Sequence, residues 1–238
     1  SHVRVSFDQP MYTMDTIAKG TLNILESIRI LDRNVKLYQA SSSEMFGNQI
    51  DADGFQRETT PMSPVSPYAC AKLCAYNLVR CYRESYNIFG TNGILFNHES
   101  PRRGTSFVTS KIVAGAVKIS KGLQKYLYLG NLDSTRDWGH AKDYVKVMWQ
   151  LLQLDEPDDY VCATGMSHSV REFCDITFKK LGMDYRDFVK QDPRYFRPIE
   201  LVNLKGDTAK LKTAIDLKFD YNLESLVDEM INYWKGIL

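Results

Sequence analysis

Apolar positions in the first part of the chain recur at helical spacing. Ile17, Leu22, Leu25, Ile28 and Leu31 stand mostly three or four residues apart, which predicts a helix over residues 16–33. Asn34 breaks that pattern. Residues 35–40 then read as a short strand that runs into Ser41, Ser42 and Ser43. Residues 48–67 carry Gly54, Pro61, Pro64 and Pro67 among polar side chains and read as loop. A serine before a proline, Ser66-Pro67, opens a long helix over 68–86. Residues 93–97 are short and apolar, as a buried parallel strand is.

Beyond Pro101 and Gly104 the pattern alternates again. It predicts a helix over 108–121, a strand over 127–129, a helix over 141–154 and a strand over 160–163. A helix over 170–181 follows, with Ser169 as its cap, then a polar loop over 190–198 and an amphipathic helix over 223–234. Helix alternating with strand predicts an α/β fold with a parallel sheet. Ligands of such sheets bind beyond the carboxyl ends of the strands, which puts Ser41 to Glu44 in the favoured place.

Bulk properties narrow the function. A chain of 238 residues can bury the core of one large domain or two small ones. With 30 basic and 29 acidic residues the net charge is +1, and there is no basic run, so no nucleic-acid partner is expected. An anionic ligand must be held by a few placed arginines and lysines. No run of 18 apolar residues and no signal-peptide pattern occurs, so no membrane partner is expected. Five cysteines without a Cys-x-x-Cys pair suggest a reduced, cytoplasmic setting. Cys70, Cys74 and Cys81 share one helical face and are expected as small buried apolar side chains. His2, His98, His140 and His168 lack zinc spacing, and no metal is expected. No glycine-rich turn precedes residue 20, although a dinucleotide-binding half normally opens with one. The expectation is therefore a fragment whose first βαβ units lie upstream of Ser1.

Candidate chemistry sits on one helix. Tyr68 and Lys72 are four residues apart and face the same way. A free tyrosine titrates near 10, and a neighbouring ammonium favours its phenolate. That spacing is weak on its own, because many helices hold a surface Tyr/Lys pair. Ser42, at a strand end some 26 residues earlier, completes a Ser-Tyr-Lys set. Glu44 is either a base beside that set or a polar residue at a loop mouth.

Longer stretches carry a resemblance. They are Tyr38-Gln39-Ala40-Ser41-Ser42-Ser43-Glu44, Ser66-Pro67-Tyr68-Ala69, the run from Asn92 to Gly104 that ends His98-Glu99-Ser100-Pro101-Arg102-Arg103-Gly104, Leu129-Gly130-Asn131-Leu132-Asp133, the run from Arg136 to Tyr144, and Asp192-Pro193-Arg194-Tyr195-Phe196-Arg197-Pro198. With these the chain resembles the extended short-chain dehydrogenase/reductases that act on nucleotide sugars, and among them the GDP-mannose 4,6-dehydratases. The family usually has threonine where this chain has Ser42, and the segment between Gly182 and Asp192 is shorter than in many relatives.

The resemblance implies a Rossmann-type parallel sheet with a smaller mixed α/β substrate domain. Residues 1–97 would belong to the NADP-binding part and 98–238 mainly to the GDP-sugar-binding part, with 141–165 returning to the Rossmann sheet. It implies an NADP-dependent lyase acting on GDP-mannose, assembled as a homodimer or homotetramer. Ser42, Glu44, Tyr68 and Lys72 would be catalytic. Ser1, Tyr12, His98 and Arg103 would join Tyr68 and Lys72 at the cofactor. Asn97, Lys111, Arg136, Arg197 and Glu200 would contact the GDP-sugar. A keto-sugar reductase or an epimerase of the same superfamily, and a non-catalytic relative of this fold, remain as alternatives. Glu44 argues against the first two and the intact set of four against the third.

Overall fold

The structure is a computed structural model, and it describes residues 3–196 and 203–238. In chain order its elements begin with α1 (Val3–Asp8), α2 (Pro10–Met14), a π-helical turn (Asp15–Lys19), α3 (Gly20–Leu31), β1 (Leu37–Ser42), a 3-10 turn (Ser43–Phe46) and α4 (Pro67–Tyr86). Then come β2 (Gly90–Leu95), β3 (Asn97–Glu99), α5 (Val108–Ser120), β4 (Leu127–Leu129), β5 (Thr135–Arg136), β6 (Trp138–His140), α6 (Ala141–Leu151) and β7 (Asp159–Cys162). The last are β8 (His168–Ser169), α7 (Val170–Lys179), α8 (Tyr185–Phe188), β9 (Val189–Gln191), a 3-10 turn (Pro193–Tyr195), α9 (Ala209–Ala214) and α10 (Leu223–Ile237).

Two compact units share this chain. The first comprises Ser1–Phe96, Val145–Gly165 and Lys205–Leu217. Its parallel sheet has the order β1-β2-β7. All six residues of β2 are buried, as expected of a central parallel strand covered on both faces. Gly93 is required there, because a Cβ would meet the Tyr38 hydroxyl that crosses above it. Leu25 and Ile28 of α3 pack on Val79 and Tyr82 of α4 and on Ile88.

The strand expected over 35–40 lies two residues later, so Ser42 is its final residue, opposite Leu95. Val35 is instead in the turn after α3, its N–H bonded to the Asp32 carbonyl. The strand expected over 93–97 divides: β2 stops at Leu95, and Asn97–Glu99 pairs with β6. The segment between β1 and α4 is loop, as expected, and one cation organises it. Arg57 pairs with Asp51 at 2.9 Å, Asp53 at 2.6 Å and Asp207 at 2.8 Å.

One expectation fails on α4. Cys70, Cys74 and Cys81 are exposed, not buried. The inward face is Ala69, Ala71, Ala75, Tyr76, Val79 and Tyr82. The cysteines do share a face, but it is the outer one, since the small alanines take the inner positions and let the helix approach the sheet closely.

The second unit comprises Asn97–Tyr144, Met166–Leu204 and Lys218–Leu238. Its strands form three small pairs: β3-β6 and β4-β9 parallel, β5-β8 antiparallel. The polar loop expected from residue 190 therefore begins inside a strand. The core gathers Ile112, Val113 and Val117 of α5, Phe173 and Phe178 of α7, and Leu226, Val227 and Met230 of α10. Capping boxes start α7 (Ser169 with Glu172) and α10 (Asn222 with Ser225). Among the described residues no helix is long and apolar enough to cross a membrane, and no cluster of His, Cys, Asp or Glu has metal-binding geometry.

Candidate active site

The carboxyl end of β1 turns straight into a 3-10 helix. Ser42, still extended, caps that helix by accepting the Glu44 N–H on its Oγ at 3.3 Å. The capping oxygen and the carboxylate residue are thus joined through one short turn. Ser43, Met45 and Phe46 are buried beneath it, which leaves Ser42 and Glu44 half-buried at the strand end. Gly47 ends the turn with φ at 59°, in the region that favours glycine. A Cβ at Gly47 would overlap the Ser63 carbonyl. The loop after the turn therefore locks the turn from the outside.

Tyr68 and Lys72 arrive from α4. Ser66 accepts the Ala69 N–H at 3.1 Å, and Pro67 supplies the preset φ of a first turn, so the helix begins one residue before Tyr68. The Lys72 ammonium lies 5.8 Å from the Tyr68 ring centroid and donates to the Ala40 carbonyl at 2.7 Å. Burial pushes the Lys72 ammonium below the usual lysine value. Ser42, Glu44, Tyr68 and Lys72 all belong to the first unit, and the bond from Lys72 to Ala40 fastens α4 to the strand that carries Ser42.

The donor set here fits the ribose end of a nicotinamide dinucleotide. An ammonium has three donors, of which the Ala40 carbonyl takes one. The others, with the Tyr68 hydroxyl, suit sugar hydroxyls beyond the end of a parallel strand. Tyr12, also in the first unit, is on α2 and is 66% exposed.

The remaining expected residues lie in the second unit or outside the described residues. Asn97 and His98 are on β3, and the His98 ring stacks on Tyr144 with centroids 4.8 Å apart. Arg103 is held twice, by its ion pair with Glu99 at 3.1 Å and by its guanidinium over the Phe107 ring at 3.5 Å. Lys111, on α5, has its ammonium 3.4 Å from the Tyr195 ring centroid. Arg136 is buried on β5 and donates to the Thr135 carbonyl at 2.7 Å. Ser1, Arg197 and Glu200 lie outside the described residues.

Sequence reasoning passed over Glu99, although it is the most constrained carboxyl in its segment. It is 2% exposed, accepts the Thr109 hydroxyl at 2.7 Å and pairs with Arg103. Burial pushes its carboxyl up, against the pull of Arg103 and Thr109. A Glu four residues before an Arg was the available signal, but such pairs are common on surfaces.

Comparison with known proteins gives this geometry its context. A family model described as GDP-mannose 4,6 dehydratase matches residues 1–230. GDP-mannose 4,6 dehydratase 2 of Arabidopsis thaliana is 51% identical over 236 residues, covering 98% of this chain and 62% of the relative. GDP-mannose 4,6-dehydratase of Vibrio cholerae is 46% identical over 260 residues, covering 97% of this chain and 69% of the relative. Among solved structures, RMD from Pseudomonas aeruginosa complexed with NADPH superposes with a TM-score of 0.90 at 23% identity, over 99% of this chain and 78% of that one. DesIV (dTDP-glucose 4,6-dehydratase) from Streptomyces venezuelae with NAD and TYD bound gives 0.88 at 21%, over 99% and 70%. These two share the Rossmann-type fold of this chain. The chain thus spans under two thirds of its Arabidopsis relative's length, and over that span it belongs to the GDP-mannose 4,6-dehydratase family.

Proposed function

We propose that this protein removes water from GDP-mannose to give GDP-4-keto-6-deoxy-mannose, a step toward GDP-fucose or related deoxysugars. The single observation that carries the reading is the turn after β1. Ser42 caps the short 3-10 helix that carries Glu44, in the unit that also holds Tyr68 and Lys72. A C4 oxidation needs a hydroxyl and a tyrosine. Elimination needs in addition a base for the C5 proton, and Glu44 supplies a carboxylate at that turn.

Each residue has a role. Tyr68, as the phenolate, takes the proton from O4 while Ser42 hydrogen-bonds that oxygen. The Lys72 ammonium stabilises the phenolate and holds the ribose of the cofactor. NADP, held by Tyr68 and Lys72 among others, would supply the acceptor for the C4 hydride and the source of the hydride that C6 receives. The C4 ketone acidifies the neighbouring C–H, and Glu44 removes the C5 proton. Glu44 then gives a proton to the departing C6 hydroxyl, which leaves as water. The proton that Tyr68 took from O4 balances the one that C5 receives, so Tyr68 and Glu44 end the cycle as they began it.

The first unit is the NADP-binding part in this reading, and the second mainly binds the GDP-sugar. Ser1, Tyr12, His98 and Arg103 contact the cofactor with Tyr68 and Lys72. Asn97, Lys111, Arg136, Arg197 and Glu200 contact the GDP-sugar. Arginine suits the diphosphate because its planar fork pairs with two oxygens. The working form is a homodimer or homotetramer in the cytoplasm.

The test is turnover of the native-length protein on GDP-mannose with NADP, followed by mass. Loss of one water is expected. Unchanged substrate, or normal turnover by Glu44→Gln, would sink the reading.

A further inference from the structure

The helix that bears Tyr68 and Lys72 meets the sheet through alanines. Ala69, Ala71 and Ala75 are fully buried. Such a contact is close but non-directional, and nothing in it fixes how far the helix has slid along its axis. One directional bond, from Lys72 to the Ala40 carbonyl, ties the helix to β1, and the others lie one turn further on, in a buried polar cluster that takes no part in the proposed chemistry.

Asp159 opens β7 and is 6% exposed. Its carboxylate accepts the Tyr76 hydroxyl at 2.9 Å and the Asn92 amide at 2.8 Å. It also accepts two N–H groups of Arg83, at 3.1 and 3.2 Å. Arg80 adds an ionic contact at 3.5 Å. Asn92, fully buried on β2, donates as well to the Tyr76 backbone carbonyl at 3.3 Å. Its side-chain oxygen accepts the Ser41 hydroxyl at 3.3 Å. Ser41 immediately precedes Ser42. Burial, with Asp159 beside it, pushes the Tyr76 phenol up, so it stays a donor.

We infer that the buried cluster Ser41–Asn92–Asp159–Tyr76 is the positioning device of the active site, setting the axial register of α4 against β1 and so the placement of Tyr68 and Lys72 relative to Ser42. Tyr76 stands one helical turn after Lys72 and two after Tyr68. A slip of one residue along a helix is about 1.5 Å, and a misplacement of about 1 Å at reacting groups can cost on the order of a hundredfold in rate. The Asp159 carboxylate of β7 takes donors from β2 and from α4, and Asn92 ties β1 to them through Ser41, so the register of all four elements is set together. The inference deepens the proposed function and rests on its assignment of Tyr68 and Lys72.

Tyr76→Phe is the clean variant, since it removes one oxygen and leaves the ring packed. Ser41→Ala is the second, at the other end of the cluster. In the native-length protein with GDP-mannose and NADP, each is expected to lower kcat about tenfold while KM stays within about twofold, because geometry at the reacting atoms is lost and binding is not. Wild-type kcat in both variants, whatever their melting temperatures, overturns the inference. So does a loss carried by KM alone. A second readout needs no turnover. The 13Cε resonance of Lys72, assigned by its disappearance in Lys72→Met, is expected to move in Tyr76→Phe, and an unmoved resonance overturns the inference. If wild-type protein leaves GDP-mannose unchanged, the functional reading fails by itself, and the Lys72 resonance still decides the positioning role.

Discussion

Lys72 donates to the carbonyl oxygen of Ala40 at 2.7 Å, two residues before Ser42. The contact crosses from α4 to β1, so the ammonium is fixed to the same strand end that presents the serine. It also explains how a half-buried cation is tolerated: a charge-assisted hydrogen bond offsets part of its lost hydration.

That arrangement predicts a pH dependence. Burial holds the Lys72 pKa below the ordinary lysine value. The ammonium is present at neutral pH and is lost as pH rises through the lowered value, so the alkaline fall in kcat should begin below the usual lysine range of about 10.4. Lys72→Arg should move that fall to higher pH, since a guanidinium keeps its proton. Lys72→Met should lower kcat by about a hundredfold across the whole range. A kcat–pH profile of the three proteins decides. An alkaline limb unchanged in Lys72→Arg would remove the lysine from the explanation.

Ser42 presents a hydroxyl that a threonine would also present at this strand end. Its Oγ accepts the Glu44 N–H, and a threonine Oγ1 can make the same bond. Ser42→Thr should therefore keep kcat within about threefold, the added methyl being the only change. Ser42→Ala removes both the cap and the donor to O4, and should lose on the order of a hundredfold in kcat. Steady-state kinetics on both variants checks this. An alanine variant as active as the threonine one would contradict the assigned role.

Gly47 makes a prediction about shape. A side chain there meets the Ser63 carbonyl and requires a φ of 59°. Gly47→Ala should cost about 1–3 kcal/mol of backbone strain or push the Glu44 turn out of place. Either outcome is measurable, as a lower melting temperature or as lost water elimination. A variant with wild-type melting and wild-type turnover would show that the loop after the turn yields freely.

The legible part of this molecule was its local part. The helix and strand alternation emerged because each element buries one face, and periodicity reports that directly. Ser42, Glu44, Tyr68 and Lys72 were legible as candidates because a strand end and one helical turn hold them within short stretches. Periodicity does not say which face points inward, and Cys70, Cys74 and Cys81 were misplaced for that reason. The polar cluster was out of reach for a different one. Asp159 bonds Tyr76 across 83 positions and Asn92 across 67, and nothing near any of the three in sequence signals the meeting. The loop after β1 is similar: Arg57 finds Asp207 across 150 positions.

Glu99 supports a last prediction, in which two effects compete. Its carboxyl is fully buried, and the desolvation cost outweighs the help of Arg103 and Thr109, so its pKa is raised above the ordinary value. Because the fold favours the protonated acid, this group's contribution to stability is best below the ordinary glutamate range. It declines as pH climbs through the raised value. Glu99→Gln keeps an acceptor for the Thr109 hydroxyl and removes the buried charge. Arg103 is left without its anion; its Nε is buried, but the side chain as a whole is 24% exposed and rests on the Phe107 ring, and the Gln oxygen stays within reach of that nitrogen. The variant should therefore melt no lower than the wild type at neutral pH, and its stability should vary less with pH above about 4.3. If Arg103 contacts the cofactor, the same variant should bind NADP more weakly, by about tenfold, because the guanidinium has lost the partner that aims it. Thermal melts across pH with NADP titrations test both halves. A large fall in melting temperature would mean that the Glu99–Arg103 attraction, not the desolvation of the carboxylate, dominates this corner of the fold.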